Sequence, residues 1–114
     1  MKIAFLGKLV ESFQSSRRAK KFISLLKSRD PYTRAGATVH LGKISSKNII
    51  KALMSALKDN HYFVRENAAD ALGKIGTIEG IPALKVALSD EIFLVREAAE
   101  HALEMIQSRV KKIT

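Results

Sequence analysis

Residues 59–76 read DNHYFVRENAADALGKIG, and related stretches lie one fixed step before and after them. The arginines of the three copies, Arg34, Arg65 and Arg96, are 31 residues apart. The same step joins alanines, leucines and isoleucines at matching positions, which are Ala37/Ala68/Ala99, Leu41/Leu72/Leu103 and Ile44/Ile75/Ile106. Self-similarity at a period of about 20–50 residues is typical of stacked supersecondary units. The sequence therefore predicts a repeat protein.

Each copy is predicted to be half of a helix pair. The recurring apolar positions lie three, four and seven residues apart, which places them on one face of a helix. A second helix is predicted before each copy, because apolar residues there recur at the same step, as in Phe22/Leu53/Leu84 and Leu26/Leu57/Leu88. We expect a single domain over residues 1–114, with units at 17–44, 47–76 and 79–109. Gly42, Gly73 and Gly76 are expected at helix C-termini, where a cap needs a positive φ.

The N-terminal stretch is apolar on one side. Ile3, Leu6, Val10 and Phe13 are spaced as on a helix, together with Phe5 and Leu9. Such a helix can contact a membrane or a second subunit. We expect the simpler role for residues 1–14, a helix that caps the first unit, because an open end of a repeat stack exposes its core.

Composition excludes several classes of function. The chain has no cysteine, which rules out a disulfide framework, a thiolate zinc site and a cysteine nucleophile. No apolar run approaches the ~20 residues that span a bilayer. The net charge is +9, and residues 1–58 carry all of this excess while residues 59–114 are slightly acidic. Such asymmetry favours an acidic partner or simple solubility.

Arginine and aspartate repeat together. Asp59 and Asp90 occupy the same place before Arg65 and Arg96. A residue present in every unit serves every unit, so we interpret these pairs as a structural hydrogen-bond ladder, within or between units. Functional residues are expected at exposed positions that do not repeat.

The pattern D-x-x-x-x-V-R-x-x-A-A-x-A-L-G-K-I-G of Asp59–Gly76 resembles the short HEAT-like repeat, also called the phycobilisome-lyase-type repeat. The resemblance covers about residues 17–109 and is weaker in the first unit, which has Ser28, Thr33 and His40 in place of aspartate, valine and alanine. It implies an all-α, right-handed α-solenoid of three HEAT-like helix pairs, here with an N-terminal capping helix. It also implies that the arginine-bearing helices line the concave side. Members of the family are mostly protein-binding scaffolds, some are enzyme subunits, and a few bind DNA.

Basic residues form the first candidate site. Lys20 and Lys51 are one period apart, as are Lys27 and Lys58, and Arg17 and Arg18 lie nearby. In a stack these lysines would form two columns able to neutralise phosphates. The alternative is a solvated outer face. Phe22, the aromatic residue between Lys20 and Lys27, occupies a predicted core position, so there is no sign of base stacking.

Aromatic and acidic residues form two further candidates. Tyr62, Phe63 and Phe93 lie at predicted turns, either as a contact patch for a partner or packed against the neighbouring turn. Glu66 and Asp70 project from the second unit, where they would attract a basic peptide or helix. Glu97, Glu100 and Glu104 in the third unit are interpreted as a polar end cap.

The histidines do not predict a metal site. His40 occupies an alanine slot and is expected to be a packed, hydrogen-bonded interface residue, while His61 lies at a turn. By resemblance, HEAT-like di-iron hydroxylases carry repeated His-Glu dipeptides, whereas this chain has only the reversed Glu100-His101. We expect no catalytic residue, no metal and no cofactor.

The sequence therefore favours a non-catalytic scaffold or adaptor that binds another protein in the cytoplasm. We expect a monomer or weak homo-oligomer, with no membrane among its partners. One alternative is a nucleic-acid-associated protein that uses the basic N-terminal half. A further alternative is a regulatory or lyase-like subunit that is active only in a complex.

Overall fold

The structure is a computed structural model that describes residues 2–44 and 46–113. Met1 and Thr114, the ends of the predicted single domain, lie outside these residues. The helices are α1 (Lys2–Leu25), α2 (Pro31–Leu41), α3 (Lys47–Ala56), α4 (Tyr62–Ile75), α5 (Ile81–Ala87) and α6 (Phe93–Ile113). A 3₁₀ turn, Ile78–Gly80, precedes α5. The described residues contain helices and no strand, which confirms the predicted all-α class.

Polar side chains set where the helices begin. Asp30 accepts a hydrogen bond from the Tyr32 amide at 3.2 Å, and Pro31 occupies the first turn of α2. Ser46 caps α3 by accepting from the Ile49 amide. Asp59 and Asp90 each accept from the amide two residues later, at 2.9 Å, and so order the turns before α4 and α6.

The helices form two layers. The inner layer is α2, α4 and α6, in which α4 packs closely against both neighbours. The outer layer is the C-terminal half of α1 with α3 and α5, whose members pack mainly on the inner helices and little on each other. The core between the layers holds fully buried side chains that include Leu41, Ile49, Leu53, Leu72, Leu84 and Ile106. Closer packing within the inner layer indicates that the stack curves toward it.

Glycines allow the inner helices to approach closely. A Cβ atom on Gly42 would lie 3.0 Å from the Ala71 Cβ atom, and one on Gly73 would lie 2.8 Å from the Ala102 Cα atom. The positive φ expected of all three glycines is absent from two of them, although Gly42 is the C-cap of α2. Gly42 has a φ of −62° and Gly73 lies inside α4. Gly76 alone matches it, with a φ of 72° after α4.

The prediction of a separate capping helix over residues 1–14 is also wrong. Residues 2–25 form one continuous helix, because no proline interrupts it and Ser15-Ser16 only weakly disfavours helix. The apolar side chains of its first half do not cover the first unit: Ile3 is 87% exposed and Phe13 is 63% exposed. Ala19, in the second half, is buried and fixes the side of α1 that meets the core.

The arginine–aspartate ladder runs between units. Arg34 donates to both carboxylate oxygens of Asp59 at 2.8 and 3.1 Å, and Arg65 donates to those of Asp90 at 2.8 and 3.0 Å. Each arginine also donates to a backbone carbonyl of the turn before its own helix: Arg34 to that of Ser28 and Arg65 to that of Asp59, both at 2.7 Å. Arg96 makes the same carbonyl contact to Asp90, but no carboxylate of the described residues binds it. Each rung thus joins one unit to the next.

The rungs shift the pKa values of their carboxyls. The hydrogen bond from Arg65 lowers the pKa of Asp90, with burial opposing it and the Ile92 amide adding to it. For Asp59, burial raises the pKa, but hydrogen bonds from Arg34 and the His61 amide outweigh that effect and lower the pKa overall. Both aspartates therefore hold their charge more strongly in the folded chain than in the unfolded one.

We expect Gly73→Ala to destabilise the fold by about 1–3 kcal/mol, because the added methyl group would collide with the backbone of α6. Gly36→Ala is the matched control, since a Cβ atom there meets nothing within 4 Å. It should stabilise the fold by about 0.5–1 kcal/mol through helix propensity. Urea unfolding of both variants measures these effects. Equal effects of the same sign would contradict the close helix approach.

We expect Asp90→Asn to lower stability by about 1–3 kcal/mol at pH 7, because the charge-assisted bonds to Arg65 weaken. The folded-state pKa lies below the ordinary 3.8, so the contribution of Asp90 is complete above 3.8 and disappears as the pH falls through the lowered pKa. Unfolding free energies of both proteins between pH ~2 and ~7 should therefore converge in acid. A difference that does not change with pH would exclude this origin.

Candidate functional site

The solvent side of the inner layer forms the main candidate surface, here called the inner face. Its side chains come in three rows at the repeat step, in which Ala35 alone is buried: Tyr32/Phe63/Leu94, Ala35/Glu66/Glu97 and Val39/Asp70/His101. Only the first row keeps the same character in all units. The other two rows change between apolar and charged residues, so they do not serve stacking alone.

An aromatic cluster lies at one edge of the inner face. The rings of Tyr32 and Phe63 stack with their centres 5.1 Å apart, and Tyr62 meets Phe63 edge-on at 5.6 Å. Phe63 is half-buried against the core, whereas Tyr32 is 75% exposed. Phe93 is separate from this cluster: its ring is exposed and lies 5.7 Å from the Arg96 guanidinium carbon. Phe63 thus packs on a neighbouring turn, whereas the rings of Tyr32 and Phe93 are exposed; a contact patch for a partner stays a prediction.

Carboxylates occupy the centre of the inner face. Burial raises the pKa of Glu66, and the nearby charges of Asp70 and Glu97 raise it further. Burial also raises the pKa of Asp70, against opposing effects of Lys74 and His101. Across residues 2–44 and 46–113, no ion pair within 4.0 Å neutralises Glu66, Asp70 or Glu97. Glu97, expected to belong to an end cap, therefore stands beside Glu66 on this face.

Glu100 and Glu104 face another way. Glu100 occupies the repeat position of the buried Thr38 and Ala69. Glu104 occupies the position of Gly42 and Gly73, which pack closely on the next helix. Those small residues receive the next inner helix. Both glutamates are exposed, so the outer side of α6 presents charge where the other units present a packing surface.

The basic candidates lie on the outer layer, away from the inner face. Lys20, Lys27, Lys51 and Lys58 are all exposed, and so are Arg17 and Arg18. The repeat step places Lys20 with Lys51 and Lys27 with Lys58, here called the lysine columns. Arg17 lies over the ring of Phe13, with its guanidinium carbon 5.1 Å from the ring centre. No contact in the described residues joins these cations to the carboxylates of the inner face.

An outer groove is the feature that sequence reasoning missed. It encloses about 1000 Å³ between α3 and α5 and is lined by Met54, Pro82 and Val86, with Lys51 and Lys58 on one wall. It exists because the outer helices pack little on each other. The signal in the sequence was Val86, an apolar residue at the repeat position where the first two units have Ser24 and Ser55.

The histidines are spread over the molecule. The His40 ring is exposed and stacks on Phe22 at 4.4 Å, so the expected interface position is wrong: its slot faces away from the second unit. His61 contacts Asn60 and Arg34 in the turn before α4. Within residues 2–44 and 46–113, no three potential metal-ligating side chains converge. None of the helices described is long and apolar enough to cross a membrane.

Comparison with known proteins places this geometry in a family. The sequence matches the family of HEAT repeats over residues 19–104, whereas no curated protein matches it. A solved structure of the CpcE–CpcF complex of phycocyanin lyase from Nostoc sp. PCC7120 is similar, with 37% identity over 78% of this chain and 37% of that chain, and a TM-score of 0.75. Human deoxyhypusine hydroxylase in complex with glycerol is similar with 27% identity over 79% of this chain and 32% of that chain, and a TM-score of 0.73.

This chain spans about a third of the length of both neighbours. Both neighbours are related to enzymes, so the expectation of a chain with no enzymatic role is not supported by them. The predicted resemblance to phycobilisome-lyase-type repeats is confirmed. Because the family match covers most of the sequence, this chain belongs to the HEAT-repeat family.

Proposed function

We propose that this chain is a protein-interaction module whose inner face binds a basic segment of a partner protein. The observation that carries the proposal is the group of Glu66, Asp70 and Glu97, three carboxylates that make no ion pair within 4.0 Å among the described residues. Burial disfavours the charges of Glu66 and Asp70, and repulsion from Asp70 and Glu97 adds to it at Glu66, as the raised pKa values of Glu66 and Asp70 indicate. A lysine or arginine from a partner would relieve both effects, which makes the pairing favourable and selective.

The aromatic cluster supplies the apolar part of the proposed interface. Tyr32 presents most of its ring to solvent while stacking on Phe63 holds it in place. A ring that is already ordered loses little conformational entropy when a partner covers it, and tyrosine is common among residues that dominate binding energy. The proposed partner segment therefore carries an apolar side chain over Tyr32 and basic side chains over the carboxylates.

The comparisons support a protein as the partner. One neighbour was solved as a complex of two proteins, CpcE and CpcF. They also favour a second candidate, a subunit of an enzyme complex. In that case the inner face would hold another subunit, and the chemistry would belong to the assembly rather than to this chain alone.

We expect Glu66→Gln and Asp70→Asn to leave stability at pH 7 unchanged or to raise it. The folded-state pKa values are above the ordinary 4.5 and 3.8, so folding favours the protonated carboxyls. Stability contributed by these groups therefore decreases as the pH rises from the ordinary to the raised pKa. Thermal unfolding at pH 7 measures the effect. Clear destabilisation would mean that the two carboxylates support the fold instead of a partner.

The binding experiment uses affinity capture from nuclease-treated host lysate, followed by titration of each protein recovered. We expect Glu66→Gln/Asp70→Asn to weaken binding at least about tenfold, because desolvated charge pairs are lost. Tyr32→Ala should weaken it similarly. Glu100→Gln/Glu104→Gln is the matched control, since it removes the same charge outside the inner face. The proposal fails if the control and the inner-face variants bind equally well.

A further inference from the structure

The first half of α1 carries an apolar surface that the other described residues leave uncovered. Its six large apolar side chains are all at least half exposed, namely Ile3, Phe5, Leu6, Leu9, Val10 and Phe13. Exposed apolar residues are common singly, but six within eleven positions of one helix form a continuous surface. This surface is here called the α1 arc.

The direction of the α1 arc explains why the core does not cover it. At about 100° of rotation per residue, the six side chains fall within a sector of about 160°. Ala19, Phe22 and Ile23, which meet the core, point on average about 130° away from the middle of that sector, with Ile23 at its edge. A straight helix cannot present both the α1 arc and the side that carries Ala19 and Phe22 to the first unit. Because Ala19 and Phe22 pack on the first unit, the α1 arc remains in solvent.

Cations continue the α1 arc along the same side of the helix. Arg17, Lys20 and Lys21 fall within the same sector, one to two turns beyond Phe13. Lys20 also begins a lysine column with Lys51 on α3. The same side of the molecule therefore carries the α1 arc at one end and exposed basic residues of both α1 and α3 next to it.

We propose that this side docks on the surface of an anionic lipid bilayer, with α1 lying in the plane of the interface. The α1 arc would enter the boundary between headgroups and acyl chains, while Arg17, Lys20 and Lys21 bind lipid phosphates. A wide apolar sector beside clustered cations is the pattern of an interfacial helix. This inference replaces the expectation of no membrane partner, which rested on residues 1–14 covering the first unit.

Charge and width favour lipid over other occupants. A helix-pairing seam uses two positions per seven residues, which is narrower than the α1 arc. Pairing two copies would also bring together two chains of net charge +9. Nucleic acid would attract the cations but would gain nothing from the exposed leucines and phenylalanines. An anionic membrane satisfies both parts of the surface.

The proposal is independent of the proposed protein-binding function. No residue of the α1 arc belongs to the inner face, and the lysine columns lie on the outer layer. The chain could therefore bind a partner protein on its inner face and a bilayer on its outer side at the same time. Failure of either experiment leaves the other unaffected.

The first test is flotation with vesicles of phosphatidylcholine alone and with about 30% phosphatidylserine added. We expect binding at least about tenfold tighter to the anionic vesicles, weakening as salt rises. Leu6→Glu/Phe13→Glu should abolish it. Phe93→Glu/Leu94→Glu, which changes exposed apolar residues away from the outer layer, should bind like the unmodified chain. Thermal unfolding confirms that each variant is folded.

A charge comparison completes the test. Replacing Arg17, Lys20 and Lys21 by Gln should weaken anionic-vesicle binding at least about tenfold. Replacing Lys74, Lys85 and Lys112 by Gln removes the same charge and should change binding less than about threefold. The proposal is overturned if folded protein ignores anionic vesicles, or if both triple variants lose binding equally. It is also overturned if Leu6→Glu/Phe13→Glu converts a dimer to a monomer in solution without weakening vesicle binding. Binding of duplex DNA by a chain that does not bind vesicles would overturn it as well.

Discussion

Arg65 donates to both oxygens of Asp90 across a unit boundary, and Arg34 does the same to Asp59. Each aspartate also accepts from the amide two residues later, and each arginine reaches the carbonyl of its own turn. One residue pair therefore fixes two turns at once, and with them the start of two inner helices. Given that register, Gly42 and Gly73 lie against Ala71 and Ala102, where only small residues permit the approach. The curvature and the rows of the inner face follow from this spacing.

The periodic residues build the frame, and the residues that break the period give each side its character. On the inner face, Glu66 and Glu97 follow Ala35 in the same row, while Asp70 follows Val39. The charges of Glu66 and Asp70 are disfavoured where they lie, which is an arrangement typical of binding surfaces and poor for stability. On the outer layer, Val86 follows two serines and helps to form a groove. The α1 arc has no counterpart in the later units, because those outer helices begin after a turn.

The repeat step alone was enough to predict the helix pairs and much of the core, including Leu41, Leu72 and Ile106, which are fully buried. It could not decide whether Arg65 binds Asp59 or Asp90, because both aspartates recur with the same period and only the packing of units brings one within reach. It also assigned Gly73 to a helix end, since close approach of two helices depends on the neighbour and not on local sequence. Residues 1–14 were expected to fold back as a cap. The sector that α1 presents to the core is set by Ala19 and Phe22, about two turns further along the chain.

The most direct measurement is a double-mutant cycle on Arg65 and Asp90, each changed to Ala singly and together, with unfolding free energy as the readout. We expect a favourable coupling of at least about 1 kcal/mol, because each single variant already loses the whole bidentate contact and the double variant loses no more of it. The Arg34 and Asp90 pair, which shares no contact, is the control and should show additive effects. Additive effects for Arg65 and Asp90 would contradict this expectation, because they would show that the contact between the two residues does not hold the units in register.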